Sequence, residues 1–420
     1  MKRSVLVLLA LLIPAQSLYA ASSLTLDEAL TTALKNHPQI VEAKENLKGA
    51  EARTGLALSN YYPQITVAAD WNRSRSYLTA LQNIKTTEVT SEAVYLKQTV
   101  YDFGRTAGAV DAARSNREAA DKALTTARQD LTLRVKSAFY LLLATEKQAV
   151  AVREAVTARA QVYQQALEFY HQGIRAKVDV AKAESNLFAG KTALIRADNN
   201  VEIARMELAN AMGTASLGGR TLAEPLPAVF IPVPERNRIQ EGALRNRADL
   251  QQLSELQSAA SANLRTAKGS YMPILSGAAS VGYADREFPP TGNVWSVGLT
   301  LAVPLFSGFS SVEQVREARA NISALEARQN NLKLQIIKEA ETARLGVNEA
   351  SARLVSTEKE VAAAGENQSL AEGRYREGVG SIIEVTDAQS QTLDAKTAHI
   401  QALYDYYTAL ARLDRAVGKE

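Results

Sequence analysis

Residues 375–389 read YREGVGSIIEVTDAQ, and a counterpart lies 205 residues earlier, at 170–184, as YHQGIRAKVDVAKAE. The register pairs Gly173 with Gly378, Asp179 with Glu384 and Ala183 with Ala388. Each copy interrupts a long helical pattern at a glycine, the residue on which helices most readily end. Two copies of one bend imply two copies of a larger unit.

Working outward, the same order of matches recurs. Ala33-Leu34-Lys35-Asn36 corresponds to Ala243-Leu244-Arg245-Asn246, and Tyr61-Tyr62-Pro63 to Tyr271-Met272-Pro273, both at an offset of 210. Phe103-Gly104 aligns with Phe306-Ser307 at 203, and Ala211-Met212-Gly213 with Ala416-Val417-Gly418 at 205. Offsets that drift but keep their order signify a duplication with changed loops. The expected division is a leader at 1–20, a first repeat at 21–212, a connector at 213–236 and a second repeat at 237–420. The connector's Gly218-Gly219 and Pro225, Pro227, Pro232 and Pro234 exclude a helix there.

Each repeat reads helix, strand pair, very long helix, bend, shorter helix. In the first, Ile65, Val67, Ala69 and Trp71 alternate with Gln64, Thr66, Ala68 and Asp70, the period of a strand with one greasy face. A loop over 79–85 is expected to turn the chain into a return strand over about 87–101. In the second, Leu275, Gly277, Ala279, Val281 and Tyr283 alternate with Ser276, Ala278, Ser280 and Gly282, and after a loop at 286–293 Trp295, Val297, Leu299, Leu301 and Val303 alternate with Ser296, Gly298, Thr300 and Ala302. These strands have about the ten residues that a tilted membrane strand requires. Trp71, Tyr77, Tyr95, Tyr101, Tyr283 and Trp295 are placed as interfacial rings near strand ends or on the apolar face. Four strands cannot close a barrel alone, since about eight is the smallest number seen.

The long helices are expected from Arg105 to about Gln172 and again in the second repeat. At 1.5 Å per residue the first spans about 100 Å, too long for a globular domain. Val135, Leu142, Ala149, Val156, Tyr163 and Tyr170 stand seven apart, as do Ala340, Val347, Leu354 and Val361, the spacing of coiled-coil seams. Heptads alone suit a simple antiparallel hairpin, and the intervening strand pairs turn the reading towards a membrane protein.

Lys2 and Arg3, an apolar run over 5–13, Pro14 and small residues over 17–21 read as a secretory signal peptide cleaved near Ala20. No later stretch is apolar enough for a membrane helix, which leaves barrel strands open. The chain has no cysteine, so disulfides and thiolate chemistry are excluded. Without Lys2 and Arg3 it carries 46 basic and 45 acidic side chains, a balance that argues against nucleic acid. His37, His171 and His399 lack metal-ligand spacing, and neither a phosphate loop nor a nucleophile elbow is present. An enzyme is therefore disfavoured, with no metal and no cofactor expected. The stronger rival is a pore-less periplasmic coiled-coil tether.

Together, LDEALTTALKNHP (26–38), YYPQI (61–65), YMPIL (271–275), LAVPLFSGF (301–309) and the two bends resemble the TolC-like outer-membrane efflux proteins over essentially the whole mature chain. The resemblance implies a mainly α fold with a membrane β-barrel. In it, a homotrimer gives four strands per chain to a twelve-stranded barrel and four rods per chain to a hollow α-barrel crossing the periplasm. It implies an export duct in the outer membrane, fed by an inner-membrane pump of RND or ABC type through a periplasmic adaptor, a membrane fusion protein. Such a duct serves efflux or type I secretion. Ile65, Val67, Trp71, Val281, Trp295, Val297, Leu299 and Leu301 are then lipid-facing.

The bends become the periplasmic tip. Gly173, Ile174, Arg175, Gly378, Val379, Gly380 and Ser381 are the expected adaptor contacts. Glu384 and Asp387, three apart and so on one helix side, match acidic positions that line the family's entrance. The plainer reading of both is a solvated acidic helix start favoured by the helix dipole. Asp179 and Tyr375 match positions that can hold the tip shut. Here the chain departs from the family: Gly380 stands where some members carry a basic residue, and Val178 where a hydroxyl is usual. Arg175 and Arg376 are close enough in sequence to substitute.

Overall fold

A computed structural model describes residues 23–78, 82–218, 220–223, 230 and 232–419. The expected signal peptide lies outside the described residues, as do 224–229 of the connector.

The first repeat runs α1 (Leu26–Asn36), α2 (Pro38–Ser59), β1 (Gln64–Leu78), β2 (Asn83–Tyr101), α3 (Arg105–His171) and α4 (Lys177–Ala211). The second runs α5 (Arg236–Asn246), α6 (Ala248–Gly269), β3 (Ile274–Asp285), β4 (Gly292–Ala302), α7 (Ser310–Arg376) and α8 (Ile382–Ala416). Corresponding helices have equal lengths: 11, 22, 67 and 35 residues in both repeats.

Local chemistry fixes the helix starts. Thr25 and Glu28 form a reciprocal capping box on α1, with Glu28 N donating to Thr25 Oγ1 at 3.2 Å and Thr25 N to Glu28 Oε2 at 3.4 Å. His37 Nδ1 accepts from Gln39 N ahead of Pro38, which opens α2. Asp102 caps α3 through Gly104 N and Thr106 N. Before α3 the left-handed pair is Phe103 and Gly104; before α7 it is Gly308 and Phe309. The true equivalence is therefore 205 residues, and the expected match of Phe103-Gly104 to Phe306-Ser307 is corrected.

The chain divides into two compact units. Of the described residues, one unit comprises those within 23–35, 135–230 and 355–404, and the other those within 36–134, 232–354 and 405–419. In the first, Leu24 is buried and forms a parallel bridge to Leu222, which ties the segment before α1 to the connector. In the second, Ile239, Ala243, Leu250, Ile336 and Ala340 form a core cluster. Beside it the buried Arg247 is paired with Asp249 at 2.5 Å and with Glu339, so its desolvation is offset by two carboxylates.

The second unit also holds the sheet, an antiparallel meander in the order β1-β2-β3-β4. Directly paired residues share a face. Val67, Val94, Val281 and Trp295 thus form one row, and Ile65, Leu96, Ala279 and Val297 the next. The other face carries Thr66, Tyr95, Ser280 and Ser296 in one row, with Ser280 Oγ 2.8 Å from Ser296 Oγ. Tyr95 is thereby corrected: it sits on the polar face, away from the apolar belt. β2 also begins at Asn83, so residues 83–85 of the expected loop are strand. β3 ends at Asp285, where the expected loop begins, and β4 starts at Gly292, so residues 292 and 293 of that loop are strand.

The heptad seam holds over part of its length. Val135, Leu142 and Ala149 are buried, whereas Tyr170 at the end of α3 is 40% exposed. Over the five heptads from Val135 the seven-residue line of α3 has thus left the core before the bend. Val162 and Ala166 replace it in the core. In α7 the seven-residue line continues from Ala340, Val347 and Leu354 to Tyr375, which is 1% exposed. The two bend tyrosines correspond in sequence and differ in burial.

Candidate functional site

Both bends are built the same way. Gly173 and Gly378 have φ of 73° and 78°. Gly173 N donates to Tyr170 O and Ile174 N to Phe169 O; Gly378 N donates to Tyr375 O and Val379 N to Arg374 O. This is the Schellman pattern, which a left-handed residue permits and which satisfies the last carbonyls of each long helix. After the second bend, Ser381 Oγ accepts from Glu384 N at 3.2 Å and so caps α8. Ala176 precedes α4 without a side-chain cap.

Below the bends, one cluster joins all four helix ends. Val162 and Ala166 of α3, Val180 and Ala183 of α4, Ala371 and Tyr375 of α7, and Ile382, Val385 and Ala388 of α8 are buried together. The alanines let the helices approach closely. Phe169 packs its ring 5.8 Å from that of Tyr375.

Tyr375 is the centre of this arrangement. Its hydroxyl is buried and has no hydrogen-bond partner, so no bond joins it to Asp179. Burial pushes the phenol pKa up, the Asp179 charge pushes it further, and the Arg175 charge opposes both. Asp179 lies in the first turn of α4. Arg175 reaches from the α3–α4 bend to the other: its Nη2 donates to Gly378 O at 3.0 Å and to Gly380 O at 2.6 Å. The same guanidinium carbon lies 5.4 Å from the centre of the Tyr375 ring.

Glu384 and Asp387 are exposed on α8, and Glu384 Oε2 lies 3.4 Å from Arg374 Nε. Sequence reading missed Arg374, because this contact crosses the bend and no helical spacing announces it. It also missed Val178 and Ile383. These two correspond at 205, are 68% and 57% exposed, and join Ile174 and Val379 at 56% and 71%. Their signal was the repeat itself, apolar at the same exposed positions twice. Ser381 and Gly380 are tucked in, and Gly380 is buried. Among the described residues no cluster of His, Asp and Glu could hold a metal ion.

The expected lipid-facing residues all stand on one sheet face and in solvent. Val67, Trp295, Val297 and Leu299 are 75%, 73%, 74% and 73% exposed, and Ile65, Trp71, Val281 and Leu301 are also open. Trp71 donates its indole N–H to Glu88 Oε1 at 2.9 Å, where the face turns polar. Along β3 the apolar positions run from Leu275 to Tyr283. Eight steps of about 3.4 Å, tilted by about 40°, give a height of roughly 21 Å, close to the apolar band of about 25 Å on membrane barrels. No helix among the described residues is long and apolar enough to cross a membrane.

A family-wide profile of outer membrane efflux proteins matches residues 29–214 and 240–419. Protein CyaE of Bordetella pertussis is 26% identical over 406 residues, which cover 94% of this chain and 84% of CyaE. The outer membrane protein TolC of Vibrio cholerae is 22% identical, covering 94% of this chain and 90% of TolC. Among solved structures, the outer-membrane channel OprN superposes with a TM-score of 0.84 at 20% identity, over 94% of this chain and 90% of OprN. The Campylobacter jejuni CmeC outer membrane channel gives 0.85 at 17% identity, over 94% and 85%.

Proposed function

Since the chain belongs to the outer membrane efflux protein family, it is an outer-membrane exit channel that extends into the periplasm, and we propose that three copies complete it. The observation that carries this reading is the sheet: one exposed apolar face, and free edges on β1 and β4. Such edges are a liability until paired. Twelve strands from three chains remove them and place the apolar face against lipid. A pore-less tether leaves both features without a use.

Substrates then pass from an inner-membrane pump of RND or ABC type through a periplasmic adaptor into the tube. The family is one of channel proteins, and the pump supplies the energy. The bends are the docking end. Ile174 and Val178 on one, and Val379 and Ile383 on the other, offer solvent-exposed apolar side chains to an adaptor's helices. Gly173, Arg175, Gly378, Gly380 and Ser381 set the backbone course that presents them.

At the entrance, threefold symmetry gathers Glu384 and Asp387 from each chain into a ring of carboxylates that holds cations. Arg374 neutralises part of the Glu384 charge, so Asp387 contributes most. Tyr375, with Asp179 beside it, anchors the closed tip. Washed membranes test the whole reading: detergent should release a heat-sensitive trimer that carries ion current in planar bilayers. A water-soluble monomer without current contradicts it.

A further inference from the structure

We propose that Arg73 and Arg75 form a site, on the outer rim of the barrel, for the phosphate of an outer-leaflet lipid. The site rests on the channel reading above, which sets the sheet in the membrane.

The two hairpins of the sheet are unequal. β3 ends with Asp285 opposite Thr90, whereas β1 and β2 stay paired from Asn72 with Val89 up to Leu78 with Asn83. Roughly 24 Å of two-stranded ribbon therefore stands beyond the four-stranded sheet. Helices α2 and α3 join these strands at the opposite end, so the ribbon points away from the periplasm. A lone two-stranded ribbon is marginally stable in water, and a contact along one face steadies it.

Side chains two apart on a strand share a face. The face of Val67 and Trp71 thus carries Arg73 and Arg75, both exposed, whereas Asn72, Ser74 and Ser76 give the other face of β1 no charge. Trp71, 64% exposed, closes the apolar belt. At about 3.4 Å per residue and about 40° of tilt, Arg73 stands about 5 Å above Trp71 and Arg75 about 10 Å. The polar layer outside the hydrocarbon is about 5 to 8 Å thick on each side. Arg73 falls within it, and Arg75 reaches back into it on its long side chain.

The acids of this face already have donors. On the strands, at and above the Trp71 rung, they are Glu88 and Asp285. Glu88 accepts from the Trp71 indole at 2.9 Å, and Asp285 from Thr291 Oγ1 at 2.8 Å and Arg286 N at 2.7 Å. Among the described residues neither Arg73 nor Arg75 has a hydrogen-bond or ion-pair partner for its guanidinium. Two unpaired guanidiniums on one face, at headgroup depth and continuous with the lipid-facing belt, suit a phosphate, which accepts their forked N–H donors.

Purified trimers in detergent, titrated with bis-phosphorylated lipid A or with its dephosphorylated form and followed by native mass spectrometry, test this. Wild type should bind the phosphorylated lipid, one copy per protomer, more tightly than the dephosphorylated one. Arg73→Gln and Arg75→Gln should each weaken that binding about fivefold, and both together about thirtyfold. Equal affinity of wild type for the two lipids, or unchanged affinity in the double variant, would overturn the site. The first comparison needs no variant and stays decisive should the double variant fail to assemble. Displacement of the lipid by an equal concentration of inorganic phosphate would overturn the lipid as occupant. Wild-type chains that stay monomeric and water-soluble would instead overturn the channel reading.

Discussion

At the scale of single residues, the two bend tyrosines show how repeated sequence can acquire unlike roles. Tyr375 is enclosed and Tyr170 is not. Tyr375→Ala should cost about 3 to 5 kcal/mol in the hairpin, the usual range for an emptied aromatic site, whereas Tyr170→Ala should cost under about 1 kcal/mol. Denaturant unfolding of the two variants measures the difference. Tyr375→Phe removes only an unbonded hydroxyl and should leave stability equal or higher. The raised Tyr375 pKa also has a sign. Its neutral form is the folded one, so its contribution is complete below the ordinary tyrosine value of about 10 and is lost as pH rises above it. Alkaline melts of wild type and Tyr375→Phe should diverge only there. The matched spacing made both tyrosines visible in the sequence, but their burial was not. It depends on neighbours from three other helices, which no periodicity within one helix reveals.

At the scale of elements, the strands were the most legible part, because side chains alternate and an apolar stripe at every second position is hard to mistake. The limits came where polarity offered no contrast. Asn83, Lys85 and Thr86 extend β2 ahead of the expected start with only Ile84 apolar among them, and Tyr95 faces the polar side because register, not residue type, sets orientation. The sheet predicts its own asymmetry. Val297→Lys and Leu299→Lys should each cost about 2 to 4 kcal/mol at the membrane midplane, and heat-sensitive trimers should disappear from membranes. Ser296→Lys, on the opposite face, should leave them in place. At the start of α8, Asp387→Asn should weaken block by a multivalent cation about tenfold, equivalent to about 1.4 kcal/mol. Each of the three lost charges would then supply about half a kcal/mol in a solvated ring. Glu384→Gln should do less, since Arg374 already faces that carboxylate. Equal effects of the two substitutions would refute the unequal sharing of charge.

At the scale of the molecule, the duplication was readable from end to end, since helices of equal length recur in one order. What sequence could not supply was the cross-bend chemistry: Arg175 on carbonyl oxygens and Arg374 on Glu384 both join residues that no periodicity relates. Assembly has a measurable signature. If the sheet is complete only in a trimer, its apparent melting temperature in detergent should rise with protomer concentration. A melt independent of concentration, from a species of single-chain mass, would count against the closed barrel.

The unequal tyrosines carry this further. A ring of three such chains has six corners but only two designs, alternating around the rim: one with its aromatic side chain folded in, one with it turned out. Any collar of six identical modules set upon that rim meets two grades of seat, and its members must divide into threes.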